Sequence, residues 1–170
     1  MVIWLIGLSS AGKSTIGKAL ASNLRQKYSN LMYLDGDELR EIWGDALGHD
    51  LEGRAINAQR ISKLCQLLDS QGIHVIAAVL SIFPEWQAWN RETFSQYYEI
   101  FLDVPMDIIE ARDARGIYKA ARLGVIKNVV GVDIPFPRPL KPDLILKPPE
   151  VLETPSSVAA RIEEIMPKFK

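Results

Sequence analysis

Residues 7–14 read Gly7-Leu8-Ser9-Ser10-Ala11-Gly12-Lys13-Ser14, a complete G-x-x-x-x-G-K-S loop, and the apolar run Val2-Ile3-Trp4-Leu5-Ile6 leads straight into it. A buried strand that turns through glycines into a helix is the setting in which this spacing carries chemistry. The glycines let backbone N–H groups converge on phosphate oxygens, and the helix that follows adds the positive end of its dipole. In that setting Lys13 reaches the β- and γ-phosphates, and the Ser14 hydroxyl ligates Mg²⁺. The loop predicts a nucleoside triphosphate site on an α/β sheet that begins with this strand.

The remaining chain alternates in the same way. Short apolar runs at Val2 to Ile6, Leu31 to Leu34, Ile73 to Leu80, Ile100 to Val104 and Leu144 to Leu146 predict buried strands of a mostly parallel sheet. Helical spacing runs over Lys13 to Lys27, Arg54 to Ser70, Pro84 to Tyr97 and Met106 to Arg112, with Gly72 placed to stop the second of these. A last amphipathic helix spans Ser156 to Met166, opened by Thr154-Pro155. The expected fold is a phosphate-loop, doubly wound α/β domain with five strands and helices on both faces, occupying residues 1–170 as a single unit. The proline-rich stretch 135–142 is an extended connection, since too little chain follows it for a second domain.

Composition removes other classes. Lys and Arg total 20 against 21 Asp and Glu, a net charge of −1, so bulk charge predicts no nucleic-acid partner. No apolar stretch is long enough to cross a membrane, and no signal segment is evident, which predicts a cytoplasmic protein. The lone Cys65 lies among Ala58, Ile61, Leu64 and Leu68 on one helical face and reads as a packed core thiol.

In such sheets, polar residues just after a strand face the ligand. Asp35-Gly36-Asp37 follows the second strand, where two carboxylates can hold a metal-bound water and accept a proton from an attacking hydroxyl. A turn with Asp37 as helix cap explains the same residues. The segment from Glu110 to Arg122 concentrates Arg and Lys, which can neutralise a phosphoryl group in flight beneath a closing lid or form a solvated helical face.

The run from Gly7 to Thr15, Leu34-Asp35-Gly36-Asp37 with Arg40, Arg112-Asp113 followed by Gly116-Ile117-Tyr118-Lys119, and Ile126-Lys127-Asn128 with Gly131 and Asp133 together resemble the adenylylsulfate (APS) kinase family. The resemblance covers nearly the whole chain. It implies ATP and Mg²⁺ as cofactors and phosphorylation of the 3′-hydroxyl of a small nucleotide whose 5′-phosphate carries sulfate. By position it implies that Asp35 and Asp37 form the acidic pair, with Asp35 beside Ser14 at the metal, and that Lys127 is a cation near the acceptor. Arg40, Arg54 and Asn57 resemble the residues that hold the acceptor's anionic group, Arg112 the residue packed on the ATP base, and Ser81 the serine of the family's Ile-Ser-Pro stretch. It also implies a lid around 112–133 and leaves a homodimer open. Arg54 and Asn57, three apart on one helix, can grip one anion together.

The chain departs from that pattern where the family places two phenylalanines around the acceptor's adenine. It has Gly48-His49-Asp50 and Asn128-Val129-Val130-Gly131 there, and Ser81-Ile82-Phe83-Pro84 in place of Ser-Pro. A stacked base is worth about 1 to 3 kcal/mol by alanine substitution, so two lost faces predict weakened adenine selectivity. Phe83 is either a replacement face or a core aromatic, and His49 either bonds another base or is an exposed loop residue. The reaction is therefore expected to be retained with a different acceptor, a non-adenine activated nucleotide such as cytidine diphosphoramidate. Ordinary APS kinase activity and a regulatory GTPase or ATPase switch are the alternatives. Against the switch, Asp113-Ala114-Arg115-Gly116 follows a helix rather than a strand.

Overall fold

The computed structural model describes residues 1–44 and 47–168. Five strands, β1 (Val2–Ile6), β2 (Leu31–Asp35), β3 (His74–Val79), β4 (Tyr97–Leu102) and β5 (Leu144–Leu146), form one sheet in the order β2-β3-β1-β4-β5. All four pairings are parallel. Between them run α1 (Lys13–Arg25), α2 (Gly36–Trp43), α3 (Leu51–Ser70), α4 (Pro84–Thr93), α5 (Met106–Ala111) and α6 (Ile117–Arg122), and α7 (Pro155–Ile165) closes the chain.

The period of two along each strand divides the core into two layers. In β1, Ile3 and Leu5 point into a cluster with Ile16, Leu20 and Leu24 of α1 and Val158 and Ile162 of α7. Val2, Trp4 and Ile6 point the other way, to Ile61 and Cys65 of α3 and to Phe94. Both faces of the central strand are thus covered, as its unbroken apolar run requires. Cys65 is buried in this second layer, and desolvation raises its thiol pKa.

Several boundaries differ from the sequence expectation, among them the start of α3 at Leu51 rather than Arg54, and two meet between α4 and β4. The helix expected to reach Tyr97 ends at Thr93, and β4 begins three residues earlier than the apolar run suggests, at Tyr97. Aromatic packing decides both: Phe94 takes an extended backbone, Phe94 and Tyr97 pack on Trp4, and Val2 pairs with Tyr97 in the parallel register. The short helices α2 and α6 follow polar turns, where helical periodicity is too brief to register. No helix among the described residues is long and apolar enough to cross a membrane.

Candidate active site

The carboxyl ends of β1, β2 and β3 open into one cavity of about 1030 Å³. At the end of β1 the backbone reverses through left-handed Ser10 and Gly12, at φ 64° and 97°, and Gly12 starts α1. A residue with a Cβ is strained at such angles, which is why the loop ends in glycine. Ser9, Ser10, Gly12, Lys13, Ser14 and Thr15 line the cavity. Gly7 and Ala11 stand behind them against the sheet, where an added Cβ on Gly7 would meet Leu102 Cβ at 3.3 Å and where Ala11 is fully buried.

Lys13 donates from Nζ to the Leu8 carbonyl at 2.8 Å. Desolvation lowers its pKa from 10.5 to about 8, against Asp37 and Asp35, whose charges raise it. A cation held at such cost is suited to a ligand that brings negative charge.

The two carboxylates are separated by environment. Asp35 is 7% exposed; its Oδ1 accepts from the Asp37 backbone at 3.0 Å, and its Oδ2 accepts from the Ser14 hydroxyl at 2.6 Å and the Tyr33 hydroxyl at 2.8 Å. Burial alone raises the Asp35 pKa, but hydrogen bonds from Ser14, Tyr33 and the backbone of Asp37 and Glu38 hold it below its ordinary value. Asp35, not Asp37, therefore caps α2, because its extended backbone (φ −107°, ψ 131°) is cap geometry and Asp37 already stands in the first turn. Asp37 instead offers an exposed carboxylate to the cavity, 3.8 Å from the Arg115 guanidinium.

On the opposite wall, Arg40 donates to the carbonyls of Leu47 and Gly48 at 3.2 and 2.9 Å. Arg54 donates to those of His49 and Asn128, both at 2.7 Å, so one guanidinium spans from the 47–50 loop to the 123–133 segment. Desolvation lowers the pKa of Arg40 and of Arg54, and for Arg54 the neighbouring Arg40 charge adds to it. Asn57 sits one turn along α3 from Arg54 and accepts from Trp43 Nε1 at 3.0 Å. The His49 imidazole is exposed, and desolvation followed by the Arg40 and Arg54 charges depresses its pKa, which favours the neutral ring at pH 7.

All ten residues expected on the acceptor side line this one cavity: Asp37, Arg40, His49, Arg54, Asn57, Ser81, Phe83, Lys127, Asn128 and Val129. Several do so in a constrained way. The Ser81 hydroxyl accepts from Trp4 Nε1 at 3.0 Å and from Gln87 Nε2 at 3.3 Å, and its backbone is left-handed at φ 54°. Val129 is 8% exposed and packs with the first core layer, held by the Asp133 carboxylate, which accepts from the backbone of Asn128 and Val129 at 2.6 Å each. Arg112 is the residue that does not join them: it caps the end of α5, exposed and outside this cavity's wall.

Two cavity residues do not stand out from the sequence. Trp86, in the first turn of α4, joins Phe83 on the wall and is packed edge-on against Trp89 at 5.4 Å. Its three-residue spacing from Phe83, with Pro84 opening the helix, is the available signal. Arg115 belongs to the basic segment, but only the fold shows that it faces Asp37 while Arg122 pairs with Glu110 on the outside.

The chain matches the adenylylsulphate kinase family model over residues 1–147. It is 45% identical over 145 residues to the cytidine diphosphoramidate kinase of Campylobacter jejuni, covering 85% of this chain and 84% of that protein. To the adenylyl-sulfate kinase of Gloeothece citriformis it is 40% identical over 144 residues, covering 85% and 82%. The APS kinase of Mycobacterium tuberculosis, solved with AMPPNP and APS, superposes with a TM-score of 0.85 at 32% identity, over 96% of this chain and 95% of that one.

Proposed function

Within the adenylylsulphate kinase family, to which this chain belongs, we propose that it transfers the γ-phosphate of ATP to the ribose 3′-hydroxyl of cytidine diphosphoramidate or a closely similar non-adenine nucleotide. The chain is an ATP-dependent kinase. The observation that carries the acceptor assignment is the pairing of an intact anion grip with an altered base pocket. Arg40, Arg54 and Asn57 are in place on the wall, whereas an exposed imidazole, His49, and a largely core-packed aliphatic, Val129, stand where the family resemblance puts aromatic faces. Phe83 and Trp86, together with Trp4, supply aromatic surface to this cavity. The 45% identity to a cytidine diphosphoramidate kinase supports the same acceptor.

In this proposal the triphosphate lies on the backbone of residues 7–15, and Lys13 regains full charge against the β- and γ-phosphates. Ser14 and Asp35, oxygen donors 2.6 Å apart, fit a Mg²⁺ that keeps several waters and phosphate ligands. When bound, that ion neutralises phosphate charge. Asp35 is committed to three donors, one of them the helix-cap bond, so the exposed carboxylate of Asp37, paired only with Arg115 at 3.8 Å among the described residues, is the general base. The acceptor's O3′ forms a bond to the γ-phosphorus while the bond to the β,γ-bridging oxygen breaks; the hydroxyl proton goes to Asp37, and ADP leaves. Arg115 and Lys127, on the proposed lid segment, offset charge on the transferring group, and Arg40, Arg54 and Asn57 hold the acceptor's terminal anionic group. Arg112 is proposed to pack on the ATP base, and the whole chain to act as one domain in the cytoplasm.

The test is ADP release coupled to a reporter over a panel containing cytidine diphosphoramidate and APS, with ³¹P NMR of the product. A new ribose phosphomonoester on the cytidine compound is expected. Nucleotide hydrolysis independent of any acceptor would overturn the kinase assignment in favour of a switch.

A further inference from the structure

We propose that Trp43 is a positioning residue for the acceptor, acting through Asn57: its indole N–H fixes the Asn57 side chain so that only the amide's amino group faces the cavity. This rests on Asn57 belonging to the anion grip. Trp43 ends α2 and Asn57 lies in the second turn of α3, so the 3.0 Å hydrogen bond from Trp43 Nε1 to Asn57 Oδ1 ties together the two helices that carry Arg40 and Arg54.

An indole nitrogen donates and never accepts. The Asn57 amide must therefore turn its oxygen to the ring, and its Nδ2 is directed away from it. Among the described residues Nδ2 makes no hydrogen bond and is not sealed from the cavity, although Asn57 as a whole is only 9% exposed. An unpinned amide can present either end, and a carbonyl oxygen facing inward repels an anion. Pinned, Asn57 completes a set made of donors alone with Arg40 and Arg54, which selects a terminal group bearing lone-pair oxygens, phosphoryl or sulfuryl.

Trp43 is itself held from both sides. Its ring packs on the second core layer, and the Arg60 guanidinium lies over it at 5.9 Å. The ring is thus a fixed post rather than a mobile flap.

Trp43→Phe keeps an aromatic ring on the core layer but removes the indole donor together with the five-membered half of the ring system. Expected is a rise of about three- to tenfold in the KM of the acceptor, the scale of one lost hydrogen bond, with kcat and the KM of ATP nearly unchanged while the lost ring volume lowers the melting temperature. The KM is measured with cytidine diphosphoramidate and with APS in parallel, so the readout does not depend on which base the pocket prefers. Asn57→Ala should raise the same KM, and adding Trp43→Phe to it should change nothing further. An unchanged acceptor KM in Trp43→Phe, with Asn57→Ala impaired, overturns the positioning role alone. Equal effects of Trp43→Phe with and without Asn57 assign it a merely structural role, and a neutral Asn57→Ala removes Asn57 from the anion grip and this inference with it.

Discussion

The partly buried lysine of the phosphate loop makes stability depend on pH in a direction opposite to the usual expectation. Lys13 has a pKa near 8 in the folded chain against 10.5 in the open one. Below pH 8 both states hold the proton, and the folded state bears the full cost of a desolvated cation. Between pH 8 and 10.5 the unfolded chain retains a proton that the folded one has released, so stability rises with pH through that window. Each pH unit across the window adds about 1.4 kcal/mol, so the whole rise amounts to about 3 kcal/mol. Other groups titrate nearby, so the measurement is a difference: urea unfolding of wild type and Lys13→Met at pH 7, 8, 9 and 10. Lys13→Met should be the more stable at pH 7, after allowing about 1 kcal/mol for the lost bond to Leu8, and its advantage should shrink as pH rises. A difference independent of pH refutes the desolvated-lysine account. ATP supplies the charge that the fold withholds, so its dissociation constant should climb up to tenfold per pH unit above pH 8.

Other substitutions separate chemistry from structure. Asp37→Asn should lower kcat by about two to four orders of magnitude with little change in melting temperature, whereas Asp35→Ala should also cost about 1 kcal/mol of stability through the cap of α2; reversed behaviour in turnover and thermal melts would exchange their roles. Trp86→Ala should raise the acceptor KM about five- to a hundredfold if it carries the base stack, and Trp86→Phe should recover most of it; an unchanged KM leaves the stack to Phe83. Gly17→Ala, favourable for an ordinary helix, should destabilise by about 1 to 3 kcal/mol, because its Cβ would stand 2.7 Å from the Tyr33 ring that donates to Asp35; a neutral melt would show that Tyr33 can move freely. Gly53→Ala should raise the acceptor KM more than that of ATP, since its Cβ would overlap the Gly48 carbonyl and displace the loop bearing His49; equal effects on both substrates would argue against that locality.

Features with a short period or fixed spacing are the ones that can be read from the chain. The apolar run of β1, the glycines of the loop and the position of Asp35 at the end of β2 are local, and each stands where local chemistry puts it. The cap goes to Asp35 rather than Asp37 because a single backbone conformation decides it. Contacts across the fold are not legible: Trp43 meets Asn57 fourteen residues away, and Arg54 reaches Asn128 across seventy-four. The start of β4 escapes the local pattern for the same reason, as Tyr97 is recruited into the sheet by pairing with Val2 and packing on Trp4, both more than ninety residues away.

The most direct measurement is kcat/KM for cytidine diphosphoramidate and for APS, taken side by side under saturating ATP. With the anion grip intact and His49 and Val129 in place of two aromatic faces, the cytidine compound should be favoured by at least about tenfold, the scale of one lost stacking face. Turnover of APS at equal or greater efficiency would contradict the account and make the chain an ordinary adenylyl-sulfate kinase.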